Sequence, residues 1–236
     1  MTNEPQPLEM LDMIDSNVLF EHLDREQRER LYRQITFHTY PAGQQFHSPY
    51  QAGDHLYLLQ RGRVRLYKLS PEGRTLTLAV LEPGTLFGEM MLIGQHIHDS
   101  YAEAMTDCTI ALLRRDVLHA LLQSNPHVAQ SFLDLMGQRL RELETKLADI
   151  AFKSVPQRLA SVLVGLAGLA DGAATAASSA PSVVRYTHQQ LAEMIGSYRE
   201  TVTKTIGEFR EAGLIRVDDD TIHLTNLEEL REMAHK

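Results

Sequence analysis

Residues 187–213 read THQQLAEMIGSYRETVTKTIGEFREAG, and this stretch decides the fold of the C-terminal part of the chain. It opens with Thr187, whose side chain suits the capping position of a helix. Gly196 then interrupts the helical pattern, because glycine supplies the backbone freedom that a tight corner between two helices needs. A second amphipathic segment follows and ends at Gly213. The pattern predicts two short helices around a sharp turn. Their apolar faces carry Leu191, Met194 and Ile195 on the first helix and Val202, Ile206 and Phe209 on the second.

The polar face of the second predicted helix has side chains suited to reading DNA bases. Its outward N-terminal end carries Arg199, Glu200, Thr203 and Lys204. An arginine can bond guanine O6 and N7 together, and a glutamate can accept from cytosine N4. A recognition helix reads base edges with its first turns while the preceding helix crosses the DNA backbone. The alternative is a solvated face on which Glu200 and Lys204 pair one turn apart.

The residues after this helix favour the DNA-binding interpretation. Residues 214–225 read LIRVDDDTIHLT and predict a two-stranded wing that turns at residues 218–220. A helix cap, a glycine corner and a wing in this order are expected of a winged helix-turn-helix rather than of an arbitrary surface helix.

The N-terminal half has the spacing of a β-sandwich. Turn-forming residues recur at intervals of nine to eleven residues through residues 40–113. Short alternating runs lie between the turns, such as Leu76, Leu78 and Val80 on one face. Short strands at this spacing are typical of an antiparallel sandwich or barrel. A helical lead-in is predicted over residues 24–35.

A long helix is predicted to follow the sandwich, beginning at Asn125 and Pro126. Its apolar residues repeat at spacings of three and four, which is the narrow seam of a coiled coil. The seam consists of Leu133, Met136, Leu140, Leu143, Leu147 and Ile150. We interpret it as the contact between two parallel helices of a homodimer. The alternative is a helix packed on its own sandwich.

Composition limits the class of protein. The chain has 236 residues, a formal charge of −8 and a single cysteine, Cys108. One cysteine excludes a disulfide framework, a four-cysteine zinc site and an iron–sulfur cluster held by this chain's own thiols. No apolar run reaches the roughly 20 residues of a membrane span, and the N-terminus is polar and acidic, so we expect a cytoplasmic protein without a signal peptide. The sequence lacks a nucleophile elbow, a P-loop, an H-E-x-x-H motif and a dinucleotide fingerprint, so we expect no enzyme.

The segment IGSYRETV, residues 195–202, resembles the helix-turn-helix of the cyclic-AMP receptor protein/FNR family of bacterial transcription regulators. The resemblance extends over about residues 17–227. It implies an α+β fold with an N-terminal cyclic-nucleotide-binding β jelly roll, a long dimerisation helix and a C-terminal winged helix-turn-helix. The implied boundaries are residues 1–124 for the sensing domain, 125–152 for the dimerisation helix and hinge, and 153–236 for the DNA-binding domain. The implied partners are double-stranded DNA, a second copy of the chain and RNA polymerase.

The same resemblance assigns the DNA-contacting residues. Arg199, Glu200 and Lys204 match the family's three base-reading positions, which implies an inverted repeat of half-sites similar to TGTGA. Lys204 stands where arginine is usual and lacks its bidentate fork. Thr187, His188 and Gln189 match positions near phosphates. His188 replaces a common arginine, which predicts weaker binding or a contact strengthened at lower pH. Ser197, Tyr198 and Thr203 complete the predicted DNA-binding set.

The resemblance also locates an effector pocket and shows that it is altered. Phe87, Gly88 and Glu89 match the ribose end of the family's nucleotide site, and Ser100 matches its phosphate-binding serine. Asp99 stands where the phosphate-binding arginine is expected, so a phosphodiester would meet repulsion in place of a charge-assisted hydrogen bond. Leu143 and Glu144 occupy the adenine-reading positions. We therefore expect no physiological binding of cyclic AMP. The alternative for residues 87–89 is a structural turn in which Glu89 caps backbone N–H groups.

The identity of any replacement effector stays open at the level of sequence. Five histidines in the sensor half make heme one candidate for a gas-sensing regulator: His38, His47, His55, His96 and His98. A regulator with no effector and a binding module that acts through protein partners are the alternatives. Cys108 lies in a predicted buried strand, where thiols are usually inert.

Overall fold

The computed structural model describes residues 17–92, 97–171 and 181–235. They divide into two compact units. The first unit contains the chain up to Lys68 together with Ala79–Arg141, and the second contains Leu69–Leu78 together with Glu142–Lys236. Across the described ranges, none of the helices is both long and apolar enough to cross a membrane.

A short helix leads into the first unit. Helix α1 spans Arg25–Tyr32. Asp24 caps it, because its side chain accepts from the Gln27 N–H while the Gln27 side chain accepts from the Asp24 N–H. This reciprocal pair satisfies two donors that the first turn leaves without intrahelical partners. Leu31 is the buried residue that anchors the helix to the core.

Eight strands form two four-stranded sheets around an apolar core. They are β1 Ile35–Tyr40, β2 Gln45–His47, β3 His55–Arg61, β4 Val64–Leu69, β5 Thr75–Leu81, β6 Leu86–Phe87, β7 Tyr101–Ala104 and β8 Cys108–Arg114. One sheet has the order β1-β8-β3-β6 and the other the order β2-β7-β4-β5. Both sheets contribute to one buried cluster, for example through Leu59 of β3 and Val64 of β4. A 3₁₀ turn over Glu89–Leu92 follows β6.

Strand β5 buries the face opposite to the leucine face that its sequence emphasises. Thr77 and Leu81 are buried, whereas Leu76 and Leu78 are half-buried. Leu78 instead lines a small cavity of the second unit with Met194 and other residues. Alternation assigns residues to two faces, but which face is covered depends on the neighbours.

Two helices follow the sandwich. Helix α2 spans Arg115–Ser124 and helix α3 spans Pro126–Phe152. The Asn125 side chain accepts from the N–H groups of His127 and Val128, so Asn125 caps α3 as its sequence predicts.

The second unit contains four more helices and a small sheet. They are α4 Val155–Asp171, β9 Ser182–Val184, α5 His188–Ile195, α6 Arg199–Glu211, β10 Ile215–Val217, β11 Thr221–Leu224 and α7 Leu227–His235. The predicted two-stranded wing is wrong by one strand, because β9 pairs with β11 through Val183 and Ile222. The Ala/Ser/Gly-rich composition of residues 171–182 predicts a loop, and this prediction falls mostly on residues 172–180, which lie outside the described residues.

Candidate nucleic-acid interface and effector pocket

The corner between α5 and α6 has the geometry that its sequence predicts. Thr187 accepts from the Gln190 N–H at 3.1 Å, and the Gln190 side chain accepts from the Thr187 N–H at 2.8 Å. Gly196 adopts a left-handed conformation, φ 62° and ψ 46°, which side-chain-bearing residues rarely adopt. The turn therefore fixes the angle at which α6 leaves α5.

One face of α6 presents polar side chains to solvent. Arg199, Glu200, Thr203 and Lys204 are all exposed, and Val202 is buried behind them. Lys204 lies 3.6 Å from Glu208 and, among the described residues, forms no ion pair with Glu200. Such an exposed pair contributes little, so Lys204 is readily available to a DNA group.

A hydrogen-bond chain joins the first residue of α5 to this face. His188 Nδ1 lies 2.8 Å from the Thr203 hydroxyl, which donates to the Arg199 carbonyl at 2.9 Å. Partial burial, followed by the positive charges of Arg185 and Arg199, lowers the pKa of His188. His188 is therefore held in its neutral form by its protein surroundings.

A groove of about 810 Å³ lies beside the hydrogen-bonded His188 and Arg199. Arg185, His188 and Arg199 line it together with Asp219 and Asp220 of the wing. The Arg185 guanidinium donates to the Asp219 carbonyl at 3.0 Å, which positions a cation at the groove. Arg185 was not among the predicted DNA contacts, although a basic residue two positions before the capping Thr187 was a usable signal.

The tip of the wing is acidic. Asp218 lies 3.2 Å from Arg216 and 2.9 Å from His223, so its carboxylate is held by neighbours on β10 and β11. Asp219 and Asp220 follow it in the turn. Carboxylates at this position oppose close approach of a phosphate backbone.

Tyr198 and Ser197 lie in the corner that precedes α6. The Arg74 guanidinium, which belongs to the same compact unit, lies 4.5 Å from the Tyr198 ring centroid. The Ser197 N–H donates to the Ala192 carbonyl at 2.9 Å and helps to close the turn. Tyr198 remains 61% exposed, so it is accessible to a DNA backbone.

Phe87 and Gly88 are held tightly by the core of the first unit. The Phe87 ring is fully buried and stacks on Tyr57 with 4.8 Å between ring centroids. Gly88 has φ +84°, and a Cβ atom there would lie 2.7 Å from Tyr57 Cδ2. Glycine is therefore required at this turn both by its conformation and by the space available.

Glu89 forms a buried ion pair with α3. Its carboxylate bonds to the Arg139 guanidinium, which also donates to the Leu86 carbonyl. The backbone-capping role considered for Glu89 is not what the structure shows. The second carboxylate oxygen, Oε2, is buried and has no partner among the described residues. Fifty positions separate Arg139 from Glu89 in the chain, so no local pattern predicted this pairing.

The place expected for a nucleotide phosphate contains a carboxylate and two imidazoles. Asp99 lies 3.7 Å from Lys68 Nζ, and the buried Ser100 accepts through its carbonyl from His47 Nδ1 at 3.0 Å. The His47 ring stacks on the His98 ring with 3.7 Å between centroids and 7° between planes. Burial and the neighbouring His98 lower the pKa of His47 to about 4.

Two of the five sensor-half histidines considered as heme ligands, His47 and His98, are buried rather than at the surface. His47 and His98 are 4% and 2% exposed. The nitrogen lone pairs of stacked imidazoles lie in parallel planes and do not converge on one metal ion. His96 lies outside the described residues. Among the residues that are described, no group of three or more histidine, cysteine, aspartate or glutamate side chains could hold a metal.

Cys108 is buried, as its sequence context predicts. Its thiol contacts the carbonyl oxygens of Arg63 and Thr106 at 3.3 and 3.2 Å. Burial raises the pKa of the thiol, which disfavours the reactive thiolate.

Two family models match the chain: a cyclic nucleotide-binding domain over residues 37–125 and a Crp-like helix-turn-helix domain over residues 157–233. The cyclic AMP receptor protein of Thermus thermophilus is 31% identical over 83% of this chain and 86% of its own length. The CRP-like cAMP-activated global transcriptional regulator of Mycobacterium tuberculosis is 27% identical over 92% of this chain and 96% of its own length.

A solved structure agrees with these relatives. The crystal structure of a CRP/FNR-family transcriptional regulator from Thermus thermophilus has a TM-score of 0.69 and 32% identity. The similarity covers 85% of this chain and 99% of that one. The predicted order of sandwich, long helix and helix-turn-helix is confirmed.

Proposed function

This chain belongs to the Crp/Fnr family of transcription regulators, and we propose that it acts as a homodimer that binds an inverted DNA repeat with half-sites resembling TGTGA. The observation that carries the proposal is the exposed face of α6. Arg199 and Glu200 stand in its first turn, and Lys204 follows one turn after Glu200. These are a guanine reader, a cytosine reader and a cation in the part of a recognition helix that reaches base edges.

The proposed dimer places two such helices on one DNA face. Half-sites one helical turn apart are separated by about 34 Å, which matches the two-fold symmetry of a dimer. The exposed leucines of α3 support pairing along that helix. Family membership also points to RNA polymerase as a protein partner, and to action in the bacterial cytoplasm.

The test of the DNA proposal is fluorescence anisotropy at fixed salt with an inverted TGTGA repeat and a scrambled duplex. We expect Arg199→Ala to weaken binding to the repeat by about 1–3 kcal/mol and to flatten the preference at one guanine. Arg25→Ala is the matched control, because Arg25 is an exposed arginine on α1 of the first unit. Equal losses on the repeat and the scrambled duplex would show that Arg199 reads no base.

We also propose that the effector pocket does not bind cyclic AMP at physiological concentrations. The carboxylate of Asp99 supports it, since a phosphodiester there meets a negative charge that the exposed Lys68 ammonium, 3.7 Å away, offsets only in part.

Isothermal titration with cyclic AMP tests this pocket. We expect no binding by the wild type at micromolar ligand, and a gain in affinity in Asp99→Arg, which replaces repulsion with a charge-assisted hydrogen bond. Micromolar binding by the wild type would contradict the proposed pocket and would leave the DNA proposal intact.

A further inference from the structure

We propose that Thr203 reads a thymine of the half-site through its methyl group and that His188 is the positioning residue that fixes Thr203 for this contact. The inference rests on the DNA binding proposed above. It adds a base contact between the two ends of the reading face, and it explains why a histidine begins α5.

The position of Thr203 suits such a contact. It lies one helical turn after Arg199 and immediately before Lys204, so it occupies the middle of the exposed face of α6. Its side chain is exposed, whereas Val202 and Thr205 on either side of this face are buried. A helix that inserts its first turns into the major groove therefore brings Thr203 to the bases.

The hydroxyl of Thr203 has no hydrogen left to give to a base. A threonine hydroxyl has one donor hydrogen and two acceptor lone pairs. The hydrogen goes to the Arg199 carbonyl at 2.9 Å. Because the hydroxyl can then only accept, its 2.8 Å contact with His188 Nδ1 requires the tautomer that carries the proton on Nδ1 and donates it to one lone pair. Base acceptors such as guanine N7 and O6 are therefore excluded as partners of this hydroxyl.

The methyl group is what Thr203 presents instead. Tethering the oxygen at two points fixes the side-chain torsion, and with it the direction of the methyl group. In the major groove only thymine offers a methyl group of its own for apolar contact. One lone pair of the oxygen remains, so acceptance from adenine N6 or cytosine N4 is the competing contact.

His188 is well placed to hold this arrangement. It follows the capping residue Thr187, whose reciprocal bonds with Gln190 fix the start of α5. Donation through Nδ1 spans from α5 to α6 and restrains the Thr203 side chain from outside its own helix. An asparagine at this position keeps a side-chain N–H close to where the imidazole Nδ1 stands.

The experiment replaces each thymine of the repeat in turn with deoxyuridine, which pairs identically but lacks the methyl group. Binding is measured by anisotropy at fixed salt. We expect the wild type to lose about fourfold in affinity at one thymine per half-site, the value of one methyl group removed from water. Thr203→Ser keeps the hydroxyl and should bind the two duplexes equally. Thr203→Val loses both tethers but keeps a methyl group, and because a β-branched side chain has one strongly preferred χ1 rotamer in a helix, it should retain part of the preference and should not respond to His188→Ala.

The positioning role has its own readout, which is the ratio of the two affinities rather than the overall affinity. We expect His188→Ala to reduce the thymine preference and His188→Asn to restore it. Thr201→Ser, off the reading face, is the matched control and should keep the full preference.

A wild type that prefers the repeat but binds thymine and deoxyuridine duplexes equally at every position would overturn this inference alone. A Thr203→Ser variant that keeps the preference would also overturn it. A wild type with no preference for the repeat over scrambled DNA would refute the proposed function, and the inference with it.

Discussion

The buried imidazole of His47 makes the first unit sensitive to acid. Its Nδ1–H donates to the Ser100 carbonyl and its ring stacks on His98, and both contacts are made by the neutral form. The pKa of His47 is lowered to about 4 in the folded chain, mainly by burial, from an ordinary value of 6.5. The folded state therefore disfavours a proton that the unfolded state accepts.

From this difference we predict that stability is full above about pH 6.5 and declines as the pH falls towards 4. The loss attributable to His47 is on the order of 3 kcal/mol. Urea unfolding at a series of pH values measures it. His47→Phe should lose less stability over this range than the wild type. His38→Phe, at an exposed position on β1, should behave like the wild type, and an unchanged slope in His47→Phe would contradict the prediction.

The corner that positions the proposed DNA-binding face was more predictable from sequence than the pocket. Thr187 and Gly196 shape this corner through local geometry, which spacing along the chain reveals. The Glu89–Arg139 pair joins residues 50 positions apart. The stacked His47 and His98 also come together only through the pairing of β2 with β7 and of Gln51 with His98, so no local pattern predicts their contact.

At the scale of elements, α3 exposes an apolar surface in the single chain. Four of its leucines are between 47% and 68% exposed in the single chain: Leu133, Leu140, Leu143 and Leu147. With Met136 between the first two, they repeat at spacings of three and four, which places them along one stripe. A second copy of the helix would remove this stripe from water.

We predict that Leu140→Asp raises the dimer dissociation constant by at least about a hundredfold, because two buried carboxylates would face an apolar seam. Sedimentation equilibrium measures the mass, which should be twice 26.7 kDa for the wild type. Leu69→Asp, an exposed leucine outside α3, is the control and should leave the mass unchanged. A wild type of single-chain mass would contradict the proposed dimer.

Alternation and turn signals did not predict two features of the elements: the buried face of β5 and the existence of β9. The alternation of β5 could be predicted from the sequence. Which of its two faces is buried could not, because that depends on the elements that pack against it. The third strand of the wing sheet, β9, has three residues and follows a long Ala/Ser/Gly-rich stretch. Three residues are too few to show the alternation that identifies a strand in a sequence.

At the scale of the whole molecule, charge is distributed against general affinity for DNA. The chain carries a net charge of −8, and cations gather beside α6, where Arg185, Arg199 and Lys204 are found. Three such cations in each of two subunits give about six phosphate neutralisations at most.

We therefore predict that the logarithm of the association constant falls against the logarithm of salt concentration with a slope of about −5. Anisotropy with the inverted repeat between about 50 and 200 mM potassium chloride measures it. Arg185→Ala should make the slope shallower by about two, one phosphate in each subunit. A slope near −10 in the wild type would show that many more cations meet the backbone.

The acidic tip of the wing has a consequence for how copies of the protein are shared out along a chromosome. A genome offers about a million or more unrelated positions that compete for any DNA-binding protein. We expect the exposed carboxylates of Asp219 and Asp220 to penalise those unrelated positions, where no base contact compensates. We therefore expect few copies of the protein to be bound at unrelated DNA sequences. The occupancy of a promoter should then closely follow the synthesis and degradation of the protein.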